Sequence, residues 1–396
     1  MTELAERSRA EDEPDDRDRL TTEILIIGAG PAGLAAAVAL EDRGIECLLV
    51  EVAERPAHRW RKRYDILHLN TTRQLSGLPG RPIPRRAGTY PSADAYASYL
   101  ENLAYSLDSE ILFGQPVEAV QPATEGRWTA TTPTARIEAR EVVIATGHDS
   151  IPRIPEWPGM SGFEGGLFHS SEYRSPERFE GQDVLVVGSG NSGADIATDL
   201  TSRTAGRTWM AVRTPPQIIP RTVYGLPMQF VAASTTWLPA AAGDWICRTV
   251  RDHALGDLSA RGLPKPEQGV STQFRESGVV PVIDRGDFSA AVGSGAISIV
   301  PGVVGFDGPE VSLEDDSVLR PDAIVAATGY RTGLEGLVGE ADWLDDRGLP
   351  RAHAPESPAG AAGLYFVGFR NPLPGNLLDI NRQARKLAAG ISRLGN

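Results

Sequence analysis

Cysteine is nearly absent from this chain. Its two cysteines, Cys47 and Cys247, stand 200 positions apart, and neither belongs to a Cys-x-x-Cys pair. That excludes a local redox dithiol, and the common zinc spacings are missing too, so no metal site is expected. Long apolar runs are also missing. No stretch reaches 18 uninterrupted apolar residues and the first residues form no apolar signal segment, so no membrane span is expected and a reduced, cytoplasmic setting fits. Positive charge is scarce, with 39 Lys and Arg against 52 Asp and Glu and a net charge of −13. A nucleic-acid partner needs a basic footprint, and this chain has none. Only three cations are lysines, Lys62, Lys265 and Lys386, a bias that carries no functional reading.

What is abundant is glycine, with 42 residues, and proline, with 30, scattered as tight loops and not as repeats. The 396 residues allow two or three domains. Residues 1–20 carry eight acids and four arginines without apolar periodicity and read as a disordered acidic tail. Order is expected from Glu23. Ile24–Gly28 is a short apolar run stopped by glycine, a buried parallel strand. An Ala-rich helix from Pro31 to about Asp42 and a strand Cys47–Glu51 complete one βαβ unit. A second unit stands about 160 residues later: strand Asp183–Gly188, helix Asn191 to about Ser202, strand Thr208–Arg213. The fold class expected is α/β with two Rossmann-like dinucleotide-binding domains.

The loop Gly28-Ala29-Gly30-Pro31-Ala32-Gly33 has the residues a pyrophosphate cradle needs. Gly28 turns the chain off the strand, Gly30 admits a phosphate close to the backbone, and Gly33 lets the helix pack against the strand. The helix N-terminus then offers free N–H groups and partial positive charge. Glu51, 18 residues after Gly33, can accept both ribose hydroxyls, which suits FAD. The second loop is Gly188-Ser189-Gly190-Asn191-Ser192-Gly193, and its second strand ends in Arg213 instead of an acid. A guanidinium pairs with a 2′-phosphate where a carboxylate would repel it, so this loop reads as the NADPH site, with Arg207 and Arg221 as further candidates. Arg213 as a solvated loop charge is the alternative.

Two more buried runs end alike, at Ala145-Thr146-Gly147 and at Ala327-Thr328-Gly329, turns that suit a cofactor edge. They sit where the chain would cross between domains. Residues 21–150 and 320–396 are therefore expected to form the FAD-binding domain. Residues 151–319 would form the inserted NADPH-binding domain, with a helical insertion near 215–285. The apolar cluster Val223–Ile246 in that insertion, with Met228, Phe230, Trp237 and Trp245, reads either as a helical excursion packed on the core or as a wall of a substrate tunnel.

Just before the second loop stands Phe163-Glu-Gly165-Gly-Leu-Phe-His169-Ser-Ser-Glu-Tyr173-Arg174. This resembles the FxGxxxHxxx(Y/F) fingerprint of class B flavin-dependent monooxygenases, the flavin-containing monooxygenases and their relatives. The resemblance spans nearly the whole chain after the tail and is nearest the YUCCA-like branch, through Trp60–Asn70, Gly278–Val303, Ala326–Arg331 and Gly363–Phe369. It implies FAD, NADPH, O₂, a C4a-(hydro)peroxyflavin and transfer of one oxygen atom to a small organic substrate. It also brings Trp60, Arg61 and Gly368 to the cofactor. Asn70, in Asn70-Thr71-Thr72, resembles the family's Asn-Thr-Ser segment and takes the catalytic role, with a turn-forming Asn as the alternative. Asn376, opening a helix after Gly375, is placed beside the flavin by analogy with related flavoproteins. His169 reads as a hydrogen-bonding residue that shapes the pocket, not as a general base.

Oxidative decarboxylation of an aromatic 2-oxo acid such as indole-3-pyruvate is the outcome the YUCCA-like segments favour. N- or S-oxygenation of a soft nucleophile and Baeyer–Villiger oxidation remain open. Arg73, Arg81, Arg85 and Arg86 could hold a substrate carboxylate or be solvated loop charges. Rival classes are an NADPH oxidase or flavin reductase and a non-enzymatic redox sensor. Without a Cys-x-x-Cys the disulfide-reductase reading of the same architecture falls away. The oligomeric state is left open, a homodimer included.

Overall fold

In the computed structural model, which describes residues 17–203, 206–235, 237–339 and 342–394, two largely separate sheets carry the chain. The first is built on strand Asp18–Ile27, whose half Ile24–Ile27 is buried on both sides. That strand pairs in parallel with Leu48–Val50 and with Ala135–Ile144. Glu110–Leu112 extends one edge in parallel. On the other side, Ala135–Ile144 takes the antiparallel strand Trp128–Thr131 along its first half and the parallel strand Leu364–Phe366 at its end. The first strand begins earlier than Glu23: Asp18–Leu20 pair with Ala135–Ile137, so the expected tail is too long at its C-terminal end. Leu20 packs under the sheet, and that burial recruits the charged residues before it into the ladder. Residues 1–16, the rest of that tail, lie outside the described residues.

Helix Pro31–Glu41 is buried from Ala32 to Leu40. Its alanines leave room for the sheet on one side and the C-terminal helix Asn376–Leu394 on the other. Ala93–Ala104 completes this layer, its N-cap Ser92 accepting from the Ala95 N–H.

The second sheet is parallel throughout. Its order is Ile297–Val300, Thr208–Ala211, Val184–Val187, Ala323–Ala326, Gly166–His169. Helices Asn191–Arg203 and Asp287–Ser294 cover one face, and the antiparallel strands Val303–Asp307 and Glu310–Leu313 cover the other. The strand Ala323–Ala326 corrects one expectation. It was assigned with residues 320–396 to the FAD domain, yet it pairs with Val184–Val187 and Gly166–His169 in the second sheet. The chain returns to the first sheet only afterwards, through helix Leu334–Val338 and strand Leu364–Phe366.

The region 215–285 is framed by the parallel pair Ile218–Pro220 and Val282–Asp284. Between them lie helices Met228–Ser234, Ala240–Leu255 and Val270–Ser277.

Candidate cofactor and substrate site

A single cavity of about 920 Å³ opens above the first sheet and reaches the helical insertion. Ligand pockets of about 300–1,000 Å³ are usual, so this one sits at the large end. Gly28, Gly30, Pro31 and Ala32 of the first loop line it, as do Glu51, Trp60, Asn70 and the turn Ala145-Thr146-Gly147. Gly368 and Asn376 line the same cavity. From the second loop come Asn191 and Ser192.

The glycines show why the two loops are equivalent. Gly28 has φ +107°, and a methyl there would lie 2.8 Å from the Ala145 carbonyl oxygen. Gly188 repeats this with φ +116° against the Ala327 carbonyl. A side chain at Gly33 or Gly193 would overlap the carbonyl of Gly28 or Gly188. At Gly30 and Gly190, by contrast, a methyl would meet nothing within 4 Å. That open space is what a pyrophosphate lying on the backbone requires.

The loops therefore separate folding from binding. Gly33→Ala is expected to abolish soluble folded protein, because helix and strand can no longer touch. Gly30→Ala is expected to keep the thermal midpoint of the cofactor-free protein and to cut the flavin-to-protein ratio at least tenfold. Equal flavin loading of the Gly30→Ala and unmodified proteins would contradict this.

Glu51 accepts from the Ala29 N–H at 2.6 Å and the Ala53 N–H at 3.0 Å, one bond on each oxygen. Its remaining lone pairs face the cavity, where two ribose hydroxyls would be satisfied. Buried polar atoms without a partner include Thr146 Oγ1, His148 Nε2 and Asn376 Oδ1, all on residues of this lining. Unpaired buried polar groups cost about 1–3 kcal/mol each, so a polar ligand is expected to complete them. The residues present thus fit FAD.

Asn70 lies where the two domains meet. Its Nδ2 donates to Asn191 Oδ1 at 3.1 Å. The same oxygen accepts from the Ile283 N–H at 2.9 Å, and Asn191 Nδ2 donates to the Pro281 carbonyl at 3.0 Å, which fixes both amide orientations. Asn70 keeps its own Oδ1 and a second N–H for the cavity. Gln229, which the sequence reading missed, locks the neighbouring segments. Its Oε1 accepts from the Thr72 N–H at 2.6 Å and from Thr72 Oγ1 at 3.0 Å, and its Nε2 donates to the Pro374 carbonyl at 2.7 Å. A lone buried amide in the apolar run Met228–Ser234 was the signal that could have found it.

The other second-loop residues lie outside the cavity lining. Gly190 is exposed, Gly188 and Ser189 are half-buried, and Ser189 Oγ donates to the Thr214 carbonyl at 3.2 Å. Arg213 is exposed just past strand Thr208–Ala211. Arg207 stands at the opposite end of that strand, 3.3 Å from Asp183, and is too remote to assist Arg213. Arg221 turns elsewhere again, stacking on Tyr90 of the first domain and lining the cavity.

Arg61 is a correction. The four-residue helix His58–Arg61 turns Trp60 inward onto Tyr96 and Arg61 outward. Arg61 pairs with Glu101 at 2.5 Å and with Ser98 Oγ at 2.7 Å, away from the cavity. Thr328 and Gly329 are also outside the lining. Thr328 Oγ1 donates to the Arg153 carbonyl, and the Gly329 carbonyl accepts from the Arg153 N–H at 3.0 Å.

The fingerprint residues tie the domains together. His169 is buried, its Nε2 2.9 Å from the Gly329 carbonyl, while Nδ1 accepts from the Ser171 N–H at 3.1 Å. With that neutral tautomer, it holds the Thr328-Gly329 turn. Tyr173 donates to Asp199 in the second core at 2.9 Å. Arg174 donates to the Arg61 carbonyl at 2.8 Å and pairs with Asp65 at 2.8 Å, pinning the segment that leads to Asn70.

The insertion supplies the far wall through Met228, Val231, Ile246, Cys247 and Phe274. Trp237 and Trp245, which the sequence grouped with that wall, are 79% and 69% exposed. Arg81 pairs with Asp42 at 2.9 Å, and none of Arg73, Arg81, Arg85 and Arg86 is in the lining.

Two histidines near the start of the C-terminal helix are held neutral. Burial, then Arg370, pushes His353 down to about 4, and burial lowers His148. A histidine with a folded pKa below its unfolded value near 6.5 binds fewer protons when folded. Its contribution to stability is therefore complete above about pH 6.5 and shrinks as pH falls toward 4. The Tm is expected to decline over that window, and His353→Phe should flatten the decline. An identical pH profile for both proteins would contradict this.

A family model described as pyridine nucleotide-disulphide oxidoreductase matches residues 25–220. The chain is 36% identical over 350 residues to the indole-3-pyruvate monooxygenase YUCCA1 of Oryza sativa subsp. japonica, across 87% of this chain and 86% of that protein. Its fold is similar to that of a flavin-containing monooxygenase from Stenotrophomonas maltophilia, with TM-score 0.71 and 20% identity over 95% of this chain and all of that one. It is also similar to oxidized steroid monooxygenase bound to NADP, with TM-score 0.74 and 17% identity, covering 95% of this chain and 86% of that one.

Proposed function

The chain belongs to the YUCCA-like branch of the flavin monooxygenases, and from that premise we propose that it catalyses the oxidative decarboxylation of an aromatic 2-oxo acid, indole-3-pyruvate first among the candidates. It is an FAD- and NADPH-dependent oxidoreductase that uses O₂. One 2-oxo acid, NADPH, a proton and O₂ give the acid one carbon shorter, CO₂, NADP⁺ and water. NADPH supplies two electrons, cleavage of the C–C bond supplies two, and O₂ accepts all four.

FAD and NADPH together supply hydride transfer and the activation of O₂. The chain's residues bind, orient and seal. Gly28, Gly30 and the N-terminus of helix Pro31–Glu41 hold the FAD pyrophosphate, and Glu51 holds its ribose. Trp60, the turn Ala145-Thr146-Gly147, Gly368 and Asn376 complete the FAD enclosure. The second loop, Gly188 to Gly193, seats the NADPH pyrophosphate, and Arg213 takes its 2′-phosphate. Asn70 offers a neutral donor and acceptor to the reacting oxygen and to the nicotinamide without altering the charge. The apolar insertion keeps water out, which guards against loss of the activated oxygen as peroxide.

The observation that carries this reading is the continuity of one cavity from the first glycine loop past Asn70 to an apolar wall that can take an aromatic ring. Incubation with indole-3-pyruvate, NADPH and ¹⁸O₂ tests it. Indole-3-acetate with one ¹⁸O atom is the expected product, and its absence across a panel of aromatic 2-oxo acids would overturn the assignment.

A further inference from the structure

A 2-oxo acid brings a carboxylate into a protein of net charge −13, so the cavity needs a local cation. We propose that Arg221 is the receptor for the substrate carboxylate and that it makes the enzyme prefer acids to their neutral counterparts, an inference that rests on the substrate class proposed above. The strand Ile218–Pro220 alternates. Ile218 faces the second core, while Ile219 and, two residues on, Arg221 face the cavity. The backbone there is fixed, because the Arg221 N–H donates to the Asp284 carbonyl at 2.6 Å. The guanidinium carbon lies 4.0 Å from the Tyr90 ring centroid, which sets the plane of the fork. The Tyr90 hydroxyl is anchored in turn on Thr222 Oγ1 at 2.9 Å.

Asp195 and Asp287 act on Arg221 from farther off, and the ion pairs they form are with another cation. Arg285 takes them, standing 3.4 Å from Asp195 and 3.0 Å from Asp287. Tyr64 donates to the other oxygen of Asp195 at 2.9 Å. Arg221 Nη1 is buried with no hydrogen-bond partner. A cation with an unsatisfied buried donor, stacked on an aromatic ring at the edge of an apolar cavity, is completed by a planar carboxylate. The distance to the flavin-facing groups is short in chain terms. Ile283, the ladder partner of Ile219, also bonds Asn191, which holds Asn70. A 2-oxo acid on Arg221 would thus extend its carbonyl toward Asn70 and its ring along Met228, Val231 and Phe274.

Binding of two probes to the flavin-loaded enzyme tests this without turnover. Indole-3-propionate carries the carboxylate and cannot be decarboxylated by this reaction, and indole-3-propionamide is its neutral counterpart. The unmodified enzyme is expected to prefer the acid by about 30-fold or more. Arg221→Gln is expected to lose that preference by weakening the acid alone, and Arg221→Lys to keep part of it. For the 2-oxo acid, KM should rise by a similar factor with kcat changed less than threefold, since Arg221 holds a group on its way out. Equal affinity of the unmodified enzyme for both probes overturns the proposal, whatever the fate of the variants. So does an unchanged preference in flavin-loaded Arg221→Gln. If no 2-oxo acid is turned over but the preference depends on Arg221, the assigned reaction fails and the carboxylate receptor stands.

Discussion

Asn70→Ala is expected to leave NADPH oxidation largely intact and to divert it to hydrogen peroxide, lowering product per NADPH at least tenfold. The side chain bridges the domains through Asn191, whose oxygen is committed as an acceptor by the Ile283 N–H. Asn191 stays paired without it, so what is lost is the hydrogen bond Asn70 offers to the reacting oxygen. A charge-assisted bond of that kind contributes about 1.5–3 kcal/mol, a factor of roughly 10–150 in partition between two outcomes. Asn70→Asp is expected to do no better. An aspartate presents only acceptors to the fixed Asn191 oxygen and adds a negative charge where the reacting oxygen already carries one. Asn70→Ser should recover part of the coupling. The check is the peroxide-to-NADPH ratio with substrate present. An unchanged ratio in flavin-loaded Asn70→Ala would mean that Asn70 is merely a turn residue.

Arg213→Ala is expected to raise the KM for NADPH by about 10- to 100-fold and to leave NADH kinetics nearly unchanged. A charge-assisted hydrogen bond contributes about 1.5–3 kcal/mol, and exposure of Arg213 favours the lower part of the range. NADH lacks the 2′-phosphate, so the same deletion costs it nothing. Arg213→Glu should go further and reverse the preference by repulsion. Steady-state kinetics with both nucleotides decide it, and a parallel loss with NADH would mean that Arg213 supports the loop and not the phosphate.

The glycine loops were legible because their demands are on the backbone. Gly28 and Gly188 need positive φ, and Gly33 and Gly193 have no room for a methyl, so the residue type itself reports the geometry. Sheet membership was not legible in the same way. Ala323–Ala326 and the end of Ala135–Ile144 are both apolar runs that lead into Ala-Thr-Gly. Pattern says that each is buried, but only the hydrogen-bond partner says where. Arg61 was misplaced because consecutive residues of a helix point about 100° apart, so within the one turn His58–Arg61 the residue after Trp60 faces away from the cavity. Gln229 was hidden, and Arg221 was picked out only as a candidate for the NADPH phosphate, for a different reason. Each is one polar residue in an apolar stretch, and its value depends on partners more than 100 residues away, Tyr90 for one and Thr72 for the other. The fingerprint was recognisable as a pattern, yet its physical work became visible only as contacts, His169 to Gly329 and Arg174 to Arg61.

Coupling of NADPH oxidation to cleavage of an aromatic 2-oxo acid is the proposed reaction of this chain. It is tested most directly by measuring CO₂, hydrogen peroxide and NADPH together in one reaction with indole-3-pyruvate. Close to one CO₂ per NADPH with little peroxide is the expected result. One peroxide per NADPH, with no CO₂ above the substrate's spontaneous decay, would contradict it.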